Sequence, residues 1–167
     1  MFEKFGELDS ADVINELADN LYNEGDIEGI KALAEENGID LEVVELYTNQ
    51  EIPGIADPLM AALGKIDVEC KELQIKEIMS DWVEYIKGQC NQHEEMAIAV
   101  RKTGKSLKGC IAKLLMWSFK NQQKVDAEIL KEAKINGARV TLGIPGMQTA
   151  KRLIREYYMG GGEDAKG

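Results

Sequence analysis

Residues 101–124, RKTGKSLKGCIAKLLMWSFKNQQK, form the stretch around which the rest of the chain is organised. The stretch contains seven basic residues and no acidic residue. Residues 102–105 make a loop of the size that binds a phosphate, and Ser106 is a typical N-cap residue. The apolar residues that follow predict a helix. The stretch is therefore predicted to be a cationic loop that leads into a capped helix.

The helix predicted after Ser106 has two different faces. Its inward stripe consists of Leu107, Cys110, Ile111, Leu114 and Ser118. Three lysines project on the opposite side, namely Lys113, Lys120 and Lys124. Met116 and Phe119 lie between the two faces, which fits either deep burial or an exposed patch that awaits a partner.

The charges are divided unequally along the chain. Residues 1–95 carry 24 acidic and 6 basic residues, a balance of −18, whereas residues 96–167 carry 6 acidic and 14 basic residues, a balance of +8. Together they give the net charge of −10. Such asymmetry indicates electrostatic partners. The alternative is that the two halves face each other and partly neutralise.

Apolar residues recur at helical spacing through most of the chain. Helix starts are predicted at Ser10, Asp26, Asp40, Asp57 and Asp126. Residues 75–88 predict an amphipathic helix in which Trp82 is a core anchor. Residues 65–74 alternate weakly and predict an extended connector or one strand, and residues 137–142 predict a short strand. The fold class is mainly α: a compact helical domain of about seven helices, with room for one short strand pair.

The predicted organisation is an acidic helical lobe over residues 1–72, a basic helical lobe over 73–159 and a disordered tail over 160–167. No window has the length of apolar sequence that spans a membrane. The first residues resemble no signal peptide. Cysteines at positions 70, 90 and 110 are odd in number and widely spaced, which is typical of a reduced, cytoplasmic protein.

Two nucleic-acid or nucleotide motifs are incomplete. The Gly-Lys-Ser sequence at 104–106 suggests a P-loop, but Ala99 stands where the motif needs its first glycine, so an NTPase is excluded. Gly104, Lys105 and the amides after Ser106 still predict a site for an anion, with a solvated basic turn as the alternative. Residues 30–47 have the pattern of a helix-turn-helix, but acidic residues on its second helix would repel DNA.

Side chains for metal or nucleophilic chemistry are scarce. Cys90 and His93 form the one compact pair of soft ligands, and a structural zinc site needs four. Cys70 and Cys110 would have to converge from about twenty residues away on either side. We therefore predict no cofactor, no metal and no catalytic residue, and we predict that the protein is not an enzyme.

The sequence from Gly104 to Ile111, GKSLKGCI, and the pair Tyr157–Tyr158 resemble the PcfK-like proteins of conjugative plasmids and integrative elements. The resemblance covers about residues 76–159, half the chain. The family includes a branch of anti-CRISPR proteins that inhibit Cas9. Residues 140–147 and the acidic lobe depart from the family pattern. The resemblance implies a protein of a mobile genetic element that works by binding.

The anti-CRISPR hypothesis assigns a Cas9-type effector to an acidic surface that mimics nucleic acid. That surface comprises Glu24, Asp26, Glu28, Glu35, Glu36, Asp40, Glu42 and Glu45. The first alternative is a conjugation accessory protein that binds DNA through its basic half. The basic surface comprises Arg101, Lys102, Lys105, Lys108, Lys113, Lys120, Lys124, Lys151, Arg152 and Arg155. The second alternative is a structural module that forms homo-oligomers. No membrane partner is expected.

Overall fold

A computed structural model describes residues 2–137 and 139–160. These residues form two compact units, the first ending at Gly109 and the second beginning at Cys110. The predicted division between residues 72 and 73 falls inside the first unit, within the helix Pro58–Leu73. The predicted tail lies, from residue 161 onward, outside the described residues.

The described residues of the first unit contain six complete helices and the start of a seventh. Their bounds are α1 Ala11–Asn23, α2 Ile27–Glu36, α3 Leu41–Thr48, α4 Pro58–Leu73, α5 Ile78–Gln92, α6 Glu94–Arg101 and α7 Leu107–Lys120. Helix α7 crosses the boundary between the units. Helix α4 packs on α5 and α6, while α2 packs on α1 and α3.

The second unit contains the rest of α7, two further helices and a small sheet. Its bounds are β1 Gln123–Lys124, α8 Ala127–Glu132, β2 Thr141–Leu142 and α9 Met147–Met159. The strands pair antiparallel, with Gln123 opposite Leu142 and Lys124 opposite Thr141. The mainly helical fold class is confirmed, with nine helices and one strand pair in the described part of the chain.

The predicted helix starts follow from side-chain capping. Each capping side chain accepts a hydrogen bond from a backbone N–H in the first turn, which satisfies one donor that the helix itself leaves open. The N–H···O distances are 2.8–3.2 Å, from Val13 to Ser10, Gly29 to Asp26, Glu42 to Asp40, Met60 to Asp57 and Glu128 to Asp126. Local sequence therefore determines where these helices begin.

The prediction of an extended segment over residues 65–74 is wrong, because α4 continues to Leu73. Its buried positions are 61, 62, 64, 65, 66 and 69, which is helical spacing. Lys65 and Glu69 occupy two of these positions. Two charged residues on the inward face conceal the apolar periodicity from which a helix is predicted.

The core of the first unit is aliphatic. Its fully buried members include Ile14, Ile30, Leu33 and Ile55. Trp82 of α5 is 5% exposed, so its predicted role as a core anchor is confirmed.

Candidate functional site

Three amides at the start of α7 and in the loop before it donate to side chains of the chain itself. The Leu107 N–H donates to the carboxylate of Glu69, which is itself buried. Gly109 N–H donates to the Ser106 Oγ at 3.0 Å, as expected of an N-cap. Thr103 N–H donates to Asp9 at 2.9 Å. Carboxylates of the chain therefore already bind two amides in and beside the predicted anion site, one of which is the Leu107 amide of the prediction.

The carbonyl groups of the same loop surround a buried cation. Lys65 Nζ donates to the carbonyl oxygens of Lys105 at 2.6 Å, Lys102 at 3.1 Å and Arg101 at 3.5 Å. It also forms an ion pair with Glu7 at 3.0 Å, and its side chain is 1% exposed. Buried cations are tolerated when charge and hydrogen bonds compensate their desolvation. The loop that looked like a phosphate site thus holds an ammonium group.

Arg101 is buried and cannot belong to a basic surface. It is 1% exposed, and its Nε donates to the Leu8 carbonyl at 2.8 Å. Nη1 donates to the Ala61 carbonyl at 3.2 Å, and Nη2 donates to Asn37 Oδ1. Burial lowers the pKa of Arg101 to about 10, although Glu7 and Glu69 oppose that shift. Its assignment to the basic surface is therefore wrong, because the guanidinium is buried and donates hydrogen bonds to three segments of the chain.

Glu69 completes this buried charge network, which we define as Glu7, Lys65, Glu69 and Arg101. Burial raises the pKa of Glu69, while the Leu107 amide, Lys65 and Arg101 act in the opposite direction. Lys65 and Glu69 are site residues that were not predicted from the sequence. Their spacing of four residues within α4 was the available signal, since it places both on one helical face. The hydrogen bonds and ion pair of this network hold α4, α6 and the start of α7 together.

The structure places Cys90 near the end of α5 and His93 directly after that helix. Cys90 is buried in α5, and burial raises its pKa to about 11, so the thiol is protonated at neutral pH. His93 is exposed between α5 and α6. Within residues 2–137 and 139–160, no three histidine, cysteine or acidic side chains come together as a metal site.

The remaining basic residues are divided between the two units. Lys102, Lys105 and Lys108 belong to the first unit and the others to the second. In the second unit, Lys113 lies 3.6 Å from a Glu156 oxygen and Arg152 lies 2.9 Å from the other. These two cations lower the pKa of Glu156, with the Arg152 hydrogen bond as the largest cause. Exposed side chains are those of Lys102, Lys108, Lys120, Lys124, Lys151, Arg152 and Arg155.

The solvent face of α7 is more apolar than the predicted cationic ridge. Leu115 is 54% exposed, Met116 is 61% exposed and Phe119 is 76% exposed. Lys120 is exposed, but Lys113 is half-buried beside Glu156. The sequence allows either deep burial or exposure for Met116 and Phe119, and the structure shows that both are exposed. Leu115 was not singled out from the sequence, although it shares their face.

The eight residues of the predicted acidic surface lie on the first unit. Seven are exposed, and Glu36 is half-buried. Some also have local structural roles: Asp26 and Asp40 cap helices, Glu28 pairs with Lys31 at 3.2 Å, and Glu36 accepts from the Lys4 and Phe5 amides. The remaining four are Glu24, Glu35, Glu42 and Glu45.

These four glutamates are the part of the acidic surface that remains for contact with a partner. Among the described residues, none of the four forms an ion pair. Helices α1, α2 and α3 also lack a basic residue in their last turns. Beside Glu35 and Glu36 runs an open groove of about 540 Å³, also lined by Glu3, Asp67, Lys71 and Glu72. The negative field therefore extends from α2 to α4.

Comparisons with protein-family models, curated proteins and solved structures give no match to this chain. The assignment of a site consequently depends on the geometry described above. In the part of the chain that the structure describes, no helix has the length and apolar character needed to cross a membrane.

Proposed function

We propose that this protein is a non-enzymatic binding protein whose acidic surface occupies a positively charged, nucleic-acid-binding channel of another protein. The observation that supports the proposal is the set of four exposed glutamates without ion pairs, Glu24, Glu35, Glu42 and Glu45. The specific partner we propose is a Cas9-type effector, which the resemblance to PcfK-like proteins implies. The gene for this protein would then be carried by a mobile genetic element.

The physical basis is competition for the same cations. A channel that binds a guide–target duplex is lined with positive charge and contacts the backbone rather than the bases. Residues 1–95, with their balance of −18, offer a high density of negative charge to such a channel. Complementary fields accelerate encounter and orient the partner. Binding of this kind weakens as salt concentration rises.

The test is capture of a purified Cas9–guide complex by the immobilised protein, together with a DNA-cleavage assay. We expect retention at about 0.15 M salt, where the Debye length is about 8 Å, and loss of cleavage. The variant carrying Glu42→Gln and Glu45→Gln should bind at least about tenfold more weakly, since each lost charge pair contributes on the order of 1 kcal/mol.

Glu94→Gln with Glu95→Gln is the matched control. These residues are also exposed, but they lie at the start of α6, outside the acidic surface. The control should bind like the wild type. Equal losses in both variants would show that net charge alone governs binding, and no capture of the wild type would refute the Cas9-type partner. A gel shift of duplex DNA with a steep salt dependence would support the accessory-protein alternative instead.

A further inference from the structure

Helix α7 has a second apolar stripe, which faces solvent. Ala112, Leu115, Met116 and Phe119 have the spacing i, i+3, i+4 and i+7, which places them on one helical face. All four are exposed. Large apolar side chains scattered singly over a surface need no explanation, but a contiguous stripe marks an interaction site.

The apolar patch of the second unit consists of this α7 stripe, Ala112, Leu115, Met116 and Phe119. The side chains of Leu142 and Ile144 are also exposed, at 64% and 61%. They flank Gly143, which lies against Ser118 and Gln122, and Ser118 belongs to the inward stripe of α7.

Exposed lysines lie at both ends of α7 and in the strand that follows it. Lys108, Lys120 and Lys124 are exposed, and no acidic residue occurs from residue 101 to residue 125. Two such faces brought together would place like charges opposite each other, which disfavours a symmetric contact between two copies of α7. The side chains of Leu115 and Met116 have no charge and no hydrogen-bond donor with which to bind a phosphate backbone. The chemistry that fits is a helix with both leucines and carboxylates on one face.

Helix α3 of the same chain presents that chemistry. Leu41 and Leu46 are each 40% exposed, and Glu42 and Glu45 are exposed between them. The opposite face of α3 is occupied by Val44, which is 1% exposed and belongs to the core. The solvent face of α3 is thus complementary to that of α7 in charge and similar to it in apolar character.

We propose that the solvent face of α7 in one copy binds the solvent face of α3 in a second copy. Leu41 and Leu46 would pack on the apolar stripe, while Glu42 and Glu45 approach the exposed lysines. The two faces are different, so the contact is heterologous, and successive contacts either close into a ring or extend as a filament. This inference does not depend on the proposed channel partner.

The experiment uses the full chain and two single-face variants in sedimentation velocity. The wild type should form dimers or larger species, with an average mass that rises with protein concentration. Phe119→Lys blocks the α7 face, and Leu46→Lys blocks the α3 face. Each variant alone should be monomeric, because each lacks one of the two faces. Their equimolar mixture should form a 1:1 dimer and stop there.

Ile98→Lys is the control, because Ile98 is 43% exposed on α6 and belongs to neither face. It should assemble like the wild type. Glu42→Lys with Glu45→Lys provides a second α3-blocked variant that alters only exposed residues, and circular dichroism verifies that every variant is folded. A wild type that stays monomeric at all concentrations would overturn the proposal. So would a mixture that stays monomeric, or a dimer that persists in the α3-blocked variants.

Discussion

Lys65 and Arg101 show how a buried cation can determine the path of a loop. Lys65 binds three carbonyls that follow one another closely in sequence, those of residues 101, 102 and 105. Carbonyl groups at the end of a helix need partners, and here an ammonium group from α4 supplies them. The buried charge network therefore positions the start of α7 without any ligand.

Replacing Lys65 by Met tests this role. The variant keeps the length of the side chain but leaves three carbonyls and Glu7 without their cation. We expect the free energy of unfolding to fall by about 3–5 kcal/mol, the range for a broken buried ion pair. Urea denaturation measures the change.

Lys31→Met is the matched control for that measurement. Lys31 pairs with Glu28 at 3.2 Å, but both side chains are exposed. Exposed pairs of this kind contribute about 0.5 kcal/mol or less. Similar losses in the two variants would show that burial of Lys65 does not matter.

The raised pKa of Glu69 predicts how the free energy of unfolding depends on pH. Its pKa is raised by burial above the ordinary value of 4.5, so between 4.5 and the raised value the native state binds more protons than the unfolded state. The free energy of unfolding then decreases as pH rises through that window. Glu69→Gln cannot titrate, so the wild type should lose stability relative to this variant as pH rises above 4.5.

Urea titrations of both proteins from acid to neutral pH measure that difference. Every other titrating group is shared, so subtraction isolates the residue at position 69. If the wild type gained stability relative to Glu69→Gln with rising pH, its carboxylate would be favoured by Lys65 and Arg101 more than burial disfavours it.

What the sequence could and could not predict is clearest at these residues. Capping residues such as Ser10 and Asp57 act within three residues of themselves, so local sequence suffices. The basic run that Arg101 begins predicts a surface position for it, whereas the structure buries it. Its partners, Leu8, Asn37 and Ala61, are 93, 64 and 40 residues away, and only the tertiary fold brings them together.

At the scale of elements, α4 and the end of α2 approach each other with backbone in contact. A side chain on Gly64 of α4 would overlap the carbonyl oxygen of Asn37. Gly38 follows with φ of +65°, a conformation that favours glycine, and a side chain there would overlap the carbonyl of Gly64. The sequence predicted the role of Gly38 in the turn, but not the contact.

Two glycine-to-alanine substitutions in helices should therefore have opposite effects. Gly64→Ala should lower the free energy of unfolding by about 2 kcal/mol, because overlap outweighs the gain in helix propensity. Gly88→Ala in α5 should raise it by about 0.5–1 kcal/mol, since nothing lies within 4 Å of the added methyl group. Thermal or urea unfolding measures both. A gain at both sites would show that α4 can move away from Asn37 at little cost.

Charge at the scale of the whole molecule has two separable effects. The net charge of −10 destabilises the compact state through repulsion that acts everywhere. Individual acids also interact with the nearest helix end. Glu24 and Glu35 lie at the C-terminal ends of α1 and α2, where negative charge is unfavourable, whereas Glu94 and Glu95 lie in the first turn of α6, where it is favourable.

The double variants Glu24→Gln/Glu35→Gln and Glu94→Gln/Glu95→Gln remove the same charge from different places. The first relieves both the general repulsion and the unfavourable helix ends, so its free energy of unfolding should rise by about 1 kcal/mol at low salt. The second loses favourable helix-end interactions and should show no gain. Urea unfolding at about 10 mM and 1 M salt, where the Debye length falls from about 30 Å to about 3 Å, should reduce the difference between them. Equal gains in both variants would mean that net charge outweighs position, and that the distribution of acids on α1 and α2 is irrelevant to stability.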